Sequence, residues 1–220
     1  MQTLIPPLGD SALALALIEA GSGESVGVHD GAHDSLLYVA HGSGTLSLDG
    51  TTLELTRASA VLVLAGEEAT IEGDELELVR VTVGPGTERH APLGPRETVV
   101  PVDPTRVEQA LESRAYQILF GPHNGSTRAT LFVGFVPPGR SPWHFHLYDE
   151  IVFIPQGPGR VHRAGSGEPE PLTAGSAFRL RPREVHIVEN ASADEEMTVI
   201  GFFTPAGSPS AAYLAEPHAA

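Results

Sequence analysis

The chain contains an internal repeat, and a repeat restricts the possible folds more than any single residue does. Shifted by 115 positions, "DSLLYVAHGSGTL" (34–46) lies over "DEIVFIPQGPGRV" (149–161). Asp34, Gly42 and Gly44 fall on Asp149, Gly157 and Gly159, and the apolar run from Leu36 to Val39 falls on Ile151 to Ile154. The same shift lays "ALALALIEAG" (12–21) over "TRATLFVGFV" (127–136) and His29 over His144. With a shift of 117, "LTRASAVLVLAGEEATIEG" (55–73) meets "LTAGSAFRLRPREVHIVEN" (172–190), and "VTVGPG" (81–86) resembles "FFTPAG" (202–207). The chain reads as two copies of one unit.

The repeat also decides the type of element. Alanine and leucine favour helices, so "ALALALIEA" alone is ambiguous. Its partner is rich in Thr, Phe and Val and reads as a strand, which assigns strands to both copies. Each copy is then a run of short apolar strands broken by Gly, Pro, Asn and Asp, the pattern of an all-β sandwich or small barrel. Between the copies, "GPGTERHAPLGPRETVVP" reads as linker and "DPTRVEQALESR" as a short helix, with Asp103 as N-cap and Pro104 at the first helical position. The expected division is 1–88, a linker with a short helix at 89–114, and 115–220. The tail "GSPSAAYLAEPHAA" is weak in structure and is expected to cover a neighbouring surface.

Composition removes several chemistries. No cysteine is present, which excludes disulfides, thiolate metal sites and cysteine nucleophiles. All 13 basic side chains are arginines, so there is no Schiff-base lysine. A net charge of -15 argues against nucleic-acid partners. The apolar run near the N-terminus has no basic residue before it and is too short for a bilayer. A cytoplasmic protein without a membrane partner is expected.

The chemistry lies in "HFHLYDE" (144–150). On a strand, His144 and His146 point to one face, and neutral imidazoles are good ligands for transition metals. Glu150 offers an anionic oxygen close by. The wider pattern runs Gly139, His144, His146, Glu150, Gly157, then Gly175, Pro182, His186 and Asn190.

This pattern resembles the two motifs of the cupin family. The resemblance covers about 126–207, and the repeat extends it to most of the chain. It implies two tandem jelly-roll-type β-barrels, a bicupin. It further implies one divalent metal held by His144, His146, Glu150 and His186, with Fe or Mn favoured and Zn or Ni possible. Two departures stand out. The spacing from the first glycine to His144 is one residue short, and Glu184 stands where a turn glycine is usual. In the first copy the four positions become His29, Gly31, Ser35 and Ala69, so that copy has no metal site. His33 is placed in a turn.

Four protein ligands on an octahedral ion leave two open positions, which suits catalysis. By strand parity with Glu150, Tyr148 and Val152 are pocket candidates; Gln117 and Phe203 are further ones. Trp143 has the opposite parity and is expected outside the barrel. Outer-face positions are expected for His162 and for Arg179, Arg181 and Arg183, which alternate as if on one strand face. The leading expectation is a dioxygenase-type oxidoreductase acting on a small organic substrate. The alternatives are a non-redox isomerase, lyase or aminohydrolase, or a binding module without turnover. Family habit adds a homodimer.

Overall fold

A computed structural model describes residues 1–8, 13–110 and 114–215. Eight strands form the N-terminal half: β1 (Gln2–Ile5), β2 (Ala14–Ala20), β3 (Ser25–His29), β4 (Asp34–Leu48), β5 (Thr51–Thr56), β6 (Ser59–Val63), β7 (Glu68–Val83) and β8 (Val99–Pro101). The C-terminal half begins with β9 (Glu108–Gln109), β10 (Ala115–Phe120), β11 (Thr130–Val136), β12 (Gly139–Arg140), β13 (His144–His146) and β14 (Asp149–Phe153). It continues with β15 (Gly159–Arg163), β16 (Glu170–Leu172), β17 (Ala177–Leu180), β18 (His186–Asn190), β19 (Met197–Thr204) and β20 (Ala212–Leu214). The fold is all-β, as the strand-and-turn pattern predicts. The first half is one curled antiparallel sheet built on the long β4 and β7. The second is two six-stranded sheets, β17-β14-β19-β11-β10-β9 and β16-β15-β18-β13-β20, with β12 also on β18.

Strand pairing carries the repeat into three dimensions. Ser35 to Tyr38 pair with Val63 to Ala60 in one half, and Glu150 to Phe153 pair with Leu180 to Ala177 in the other. Asp34 meets Val83 as Asp149 meets Thr204. The shifts of 115 and 117 residues and the match of 81–86 to 202–207 therefore hold. The glycine positions fit too: Gly42 has φ +76, and a Cβ there would lie 2.2 Å from the Glu75 carbonyl oxygen. Only glycine tolerates both conditions.

Two parts of the repeat need correction. Ala14 pairs with Thr82, whereas Thr130 pairs with Phe203, so β2 corresponds to β11 with a shift of 116, not 115. Val28, not His29, faces Ala69 as His144 faces His186. His29 is exposed on the other face, with Nδ1 3.3 Å from the Glu67 carbonyl oxygen. His33 lies in the turn, as expected, 2.9 Å from the Asp30 carboxylate.

The expected linking helix is also revised. Asp103 does cap, accepting from the Thr105 amide, and Pro104 follows it, but the helix is a single 3-10 turn, Pro104–Arg106. The chain then extends into β9, which pairs with β10. Residues 111–113 of the expected helix lie outside the described residues.

The largest apolar core lies between the halves. Leu15, Leu36, Leu62 and Val81 meet Leu131, Ile151, Phe153 and Phe202, all but fully buried. At about 1.5–3 kcal/mol for each such side chain, this interface is as much a core as either interior. Polar contacts strengthen the join. Arg128 reaches Asp34 at 3.4 Å, and Arg179 binds Asp149 at 3.1 Å while donating to the carbonyls of Pro6 and Leu13. One face of β14 therefore packs against the N-terminal half. The other, with Glu150 and Val152, faces the interior of the C-terminal half.

Candidate metal centre

β13, β14 and β18 converge on one point. His144 pairs with His186 across the β13–β18 ladder, and His146 follows two residues on, pointing to the same face. One ligand atom from each of His144, His146 and His186 lies within 4.8 Å of the others. The ring centroids are 4.4–5.0 Å apart. Glu150 comes in from β14, with Oε2 3.6 Å from His146 Nε2. It stands at the margin of the triad and is buried.

The backbone sets the tautomers of two rings. His144 Nδ1 lies 2.9 Å from the Pro142 carbonyl oxygen, and His186 Nδ1 lies 2.8 Å from that of Glu184. In each ring Nδ1–H donates outward and the Nε2 lone pair is left for the centre, the usual support for a metal-ligating imidazole. His146 Nδ1 is buried without a well-formed hydrogen bond, although the Ala211 backbone lies close enough to favour its protonated form.

Burial keeps these groups uncharged. It lowers His146 to about 3, with the neighbouring His144 adding to the effect. His186 is pushed well below the ordinary histidine value by burial and then by His144. His144 is lowered by burial, against the pull of the Pro142 carbonyl. Glu150 rises to about 8, through burial and then the charge of Asp149. Three neutral imidazoles packed together beside a buried carboxyl form a donor set that suits a divalent cation.

Two local details make room for this set. A Cβ on Gly201 would lie 2.1 Å from the Phe132 ring and 2.9 Å from Glu150 Oε1, so the bare glycine backbone admits both side chains. Before His186, the left-handed residue is Arg183 (φ 66), not Glu184. Glu184 instead accepts from the Arg181 amide at 3.0 Å, as Glu67 accepts from Leu64 at 2.8 Å in the other half. A glutamate at 184 therefore keeps the turn.

A cavity of about 120 Å³ opens beside the three imidazoles. Tyr148 and Val152 line it, as parity predicts. Tyr148 stacks on His146 (4.6 Å) and on Phe203 (4.0 Å), and burial raises its hydroxyl pKa well above the ordinary value. Phe203 sits behind Tyr148 rather than on the cavity wall. Gln117 does not reach the cavity. Its amide accepts from Asp103 N and donates to the Pro101 carbonyl, and its neighbour Tyr116 takes the wall position.

Other expectations resolve outside the cavity. His162 Nε2 is 2.5 Å from Glu189, on the outer face where Trp143 also packs against it. Arg179, Arg181 and Arg183 share no face, because β17 ends at Leu180 and only Arg179 is on it.

Sequence reading missed the cover on the site. β20 pairs with β13, placing Ala212 opposite His146 and Leu214 opposite His144. Tyr213 stacks on Phe145 at 5.3 Å. Pro209, Ser210 and Ala212 help to line the cavity. The tail does cover a neighbouring surface, as expected, and that surface is the site itself; residues 216–220 of the tail lie outside the described residues.

Comparison with known proteins agrees with this architecture. Residues 131–203 match the family described as the cupin domain. No curated protein sequence matches the chain. Among solved structures it resembles a cupin 2 conserved barrel domain protein from Leptotrichia buccalis, with TM-score 0.62 and 14% identity over 88% of this chain and 84% of that one. Oxalate decarboxylase from Bacillus subtilis, a protein with Mn(II) centres, matches with TM-score 0.71 and 16% identity over 93% of this chain and 71% of that one. Salicylate 1,2-dioxygenase from Pseudoaminobacter salicylatoxidans matches with TM-score 0.72 and 9% identity over 89% and 72%. At these identities the likeness establishes the cupin barrel fold. No helix among the described residues is long and apolar enough to cross a membrane.

Proposed function

We propose that the chain is a metal-dependent enzyme acting on a small organic substrate, with a single divalent ion, Fe or Mn, held by His144, His146, His186 and Glu150. The observation that carries this reading is the meeting of three imidazoles, two buried and that of His144 half-buried, with a buried carboxyl beside a partly open, mostly apolar cavity. Bound there, such a metal supplies Lewis-acid chemistry and, for iron or manganese, redox chemistry. The rest belongs to the chain. Val152, Leu180 and Val199 exclude water, Tyr148 fixes the His146 ring by stacking, and Glu150 gives up its proton when it becomes a ligand.

The reaction we favour is of the dioxygenase type, and the lyase or isomerase class is the second reading. The decarboxylase and the dioxygenase resemble the chain equally well, so the fold does not choose between them. We further propose that the N-terminal half is a degenerate second cupin barrel, and that the chain forms a homodimer. The edge strand β20, with exposed Tyr213 and Leu214, favours pairing with a second copy.

Elemental analysis of protein purified without nickel resin tests the centre. We expect about one transition metal per chain, lost in His146→Ala and in His186→Ala. Full metal retention in both variants overturns the reading. A substrate screen under air and under argon then separates the oxygen-consuming reaction from the non-redox one.

A further inference from the structure

Arg80, on β7 of the N-terminal half, has no partner of opposite charge within ion-pair reach. It is half-buried, yet none of the ion pairs among the described residues includes it. Its hydrogen bonds go to one neutral atom. Ser35 Oγ accepts from Nε at 3.0 Å and from Nη2 at 2.9 Å. Asp30 is the one acid whose charge acts on it, favouring the guanidinium against the burial that disfavours it. The Asp30 Oδ1 already accepts from the Ala32 and His33 amides and lies beside the His33 ring. A charge withdrawn from water is normally paired.

The free donors define what would fit. A guanidinium carries five N–H groups in a planar fork. Nε–H and the adjacent Nη2–H form one edge, and Ser35 occupies that edge. The other N–H on Nη2 and both on Nη1 have no partner among the described residues. One from each of these nitrogens lies side by side at the outer edge of the fork, the arrangement that takes two oxygens of one anion. Ser35 is 1% exposed and set within β4, so it holds the plane of the guanidinium and leaves the outer edge vacant.

The strands keep that edge accessible. Arg80 stands opposite Ala16 on β2 and Leu37 on β4, and Thr82, two residues on, stands opposite Ala14 and Ser35. In the C-terminal half, Gly201 stands opposite Phe132, and Phe203 opposite Glu150. Two aromatic rings and a carboxyl there thus correspond to alanine, threonine and serine here. Arg80, Ala14, Ala16 and Thr82 are all part-exposed, so solvent reaches this end of the N-terminal half.

We propose that Arg80, oriented by Ser35, binds a small oxyanion, a carboxylate or a phosphate, in the N-terminal half. The site is separate from the metal centre and does not depend on it. The half without metal ligands is then a ligand-binding half in its own right.

The test titrates the full chain with acetate, inorganic phosphate and chloride at constant ionic strength. Proton–nitrogen NMR follows the Arg80 Nε–H signal, identified by its absence from Arg80→Lys, and calorimetry gives the Kd. We expect one or both oxyanions to bind saturably, about tenfold or more tightly than chloride, with the Arg80 signal moving over the same concentrations. Tighter binding of phosphate assigns a phosphate ester as the natural ligand, and tighter binding of acetate a carboxylic acid. Arg80→Gln should lose the binding. Arg80→Lys, with the charge but no fork, should keep weak binding without the preference over chloride. Ser35→Ala should weaken oxyanion binding severalfold. Circular dichroism melting checks that each variant is folded, and metal content should be the same in all of them. Oxyanion binding no tighter than that of chloride, binding that leaves the Arg80 signal unmoved, or undiminished affinity in Arg80→Gln overturns the site. Should Arg80→Gln fail to fold, the wild-type signal and Arg80→Lys decide.

Discussion

Arg80 donates to Ser35 Oγ from Nε at 3.0 Å and from a terminal guanidinium nitrogen at 2.9 Å. By strand register these two residues stand where the other half has Gly201 and Glu150. Arg80 pairs with Leu37 as Gly201 pairs with Val152, and Ser35 pairs with Val63 as Glu150 pairs with Leu180. One half admits the Phe132 ring beside a carboxyl. The other half fills the space with a fixed cation beside a hydroxyl. Val28 and Ala69 replace His144 and His186 there, so no imidazole remains.

The glycine side of this relationship predicts that Gly201→Ala is disruptive. The added methyl would meet the Phe132 ring at 2.1 Å and Glu150 Oε1 at 2.9 Å. Overpacking of this kind costs about 1–3 kcal/mol, and Glu150 is displaced from the centre. Chemical denaturation should show the lower stability, and elemental analysis a reduced metal content. Arg80→Gly in the N-terminal half should leave metal content unchanged, because vacating the space supplies no ligand. Normal metal content in Gly201→Ala would count against Glu150 as a ligand.

Glu150 predicts the pH dependence. Burial raises its folded value to about 8, above the ordinary carboxyl value of 4.5, so the metal-free fold binds a proton there that the unfolded chain releases. Stability from this group is intact below about pH 4.5 and falls as pH rises towards 8, by a few kcal/mol at most. The histidines act in the opposite sense, losing stability as pH falls below 6.5. Metal binding near pH 6.5–7 should then release about one proton, from Glu150, because the imidazoles are already neutral. Calorimetry in buffers of different ionisation enthalpy measures this number. In Glu150→Gln the release should vanish and the alkaline loss of stability should disappear with it.

Tyr148 is predicted to act through its ring. Its hydroxyl reaches the Pro209 carbonyl only at 3.4 Å, whereas the ring stacks on both His146 and Phe203. Tyr148→Phe should keep metal affinity and change stability by less than about 1 kcal/mol. Tyr148→Ala removes the stack and should cost about 3–5 kcal/mol, with weaker metal retention as His146 loosens. Loss of metal in the phenylalanine variant, measured against a colorimetric chelator, would assign the role to the hydroxyl instead.

The sequence was most legible where one strand face differs from the other or where a turn demands a special residue. The spacing of His144, His146 and His186 placed three side chains together correctly, because period two on paired strands leaves little freedom. The matched Asp34 and Asp149, and the glycines, fixed the register of β4 against β14. The one-residue slip in aligning β2 with β11 has a physical cause. "LALALIEA" (13–20) and "TLFVGFV" lie largely between the two halves and the interiors, so both faces are apolar and no polar alternation marks the register. "YQILF" is buried on both faces as well, so its pattern does not show which of Tyr116 and Gln117 turns to the cavity wall. His29 misled because the turn from Val28 to Asp34 is one residue longer than that from His144 to Asp149. The return of the tail over the site was invisible, since a three-residue strand has almost no sequence signal of its own.

That returning tail gives the last prediction. Ala212 pairs with His146, Tyr213 stacks on Phe145, and the segment closes one side of the cavity. Truncation after Gly207 keeps the Thr130 hydrogen bonds that end the barrel, at 2.9 Å to both the Gly207 amide and its carbonyl, but removes β20. Without it, water reaches His146 and the burial that holds the ring neutral is relieved. The supporting shell of a metal ligand is typically worth 10–100-fold in affinity. The truncated chain should therefore lose its metal to a chelator about tenfold faster than the full chain. It should also show His146 titrating closer to the ordinary histidine range by NMR. Unchanged metal release and an unmoved His146 titration would mean that β13 and β18 hold the site without the tail, and that β20 merely rests on it.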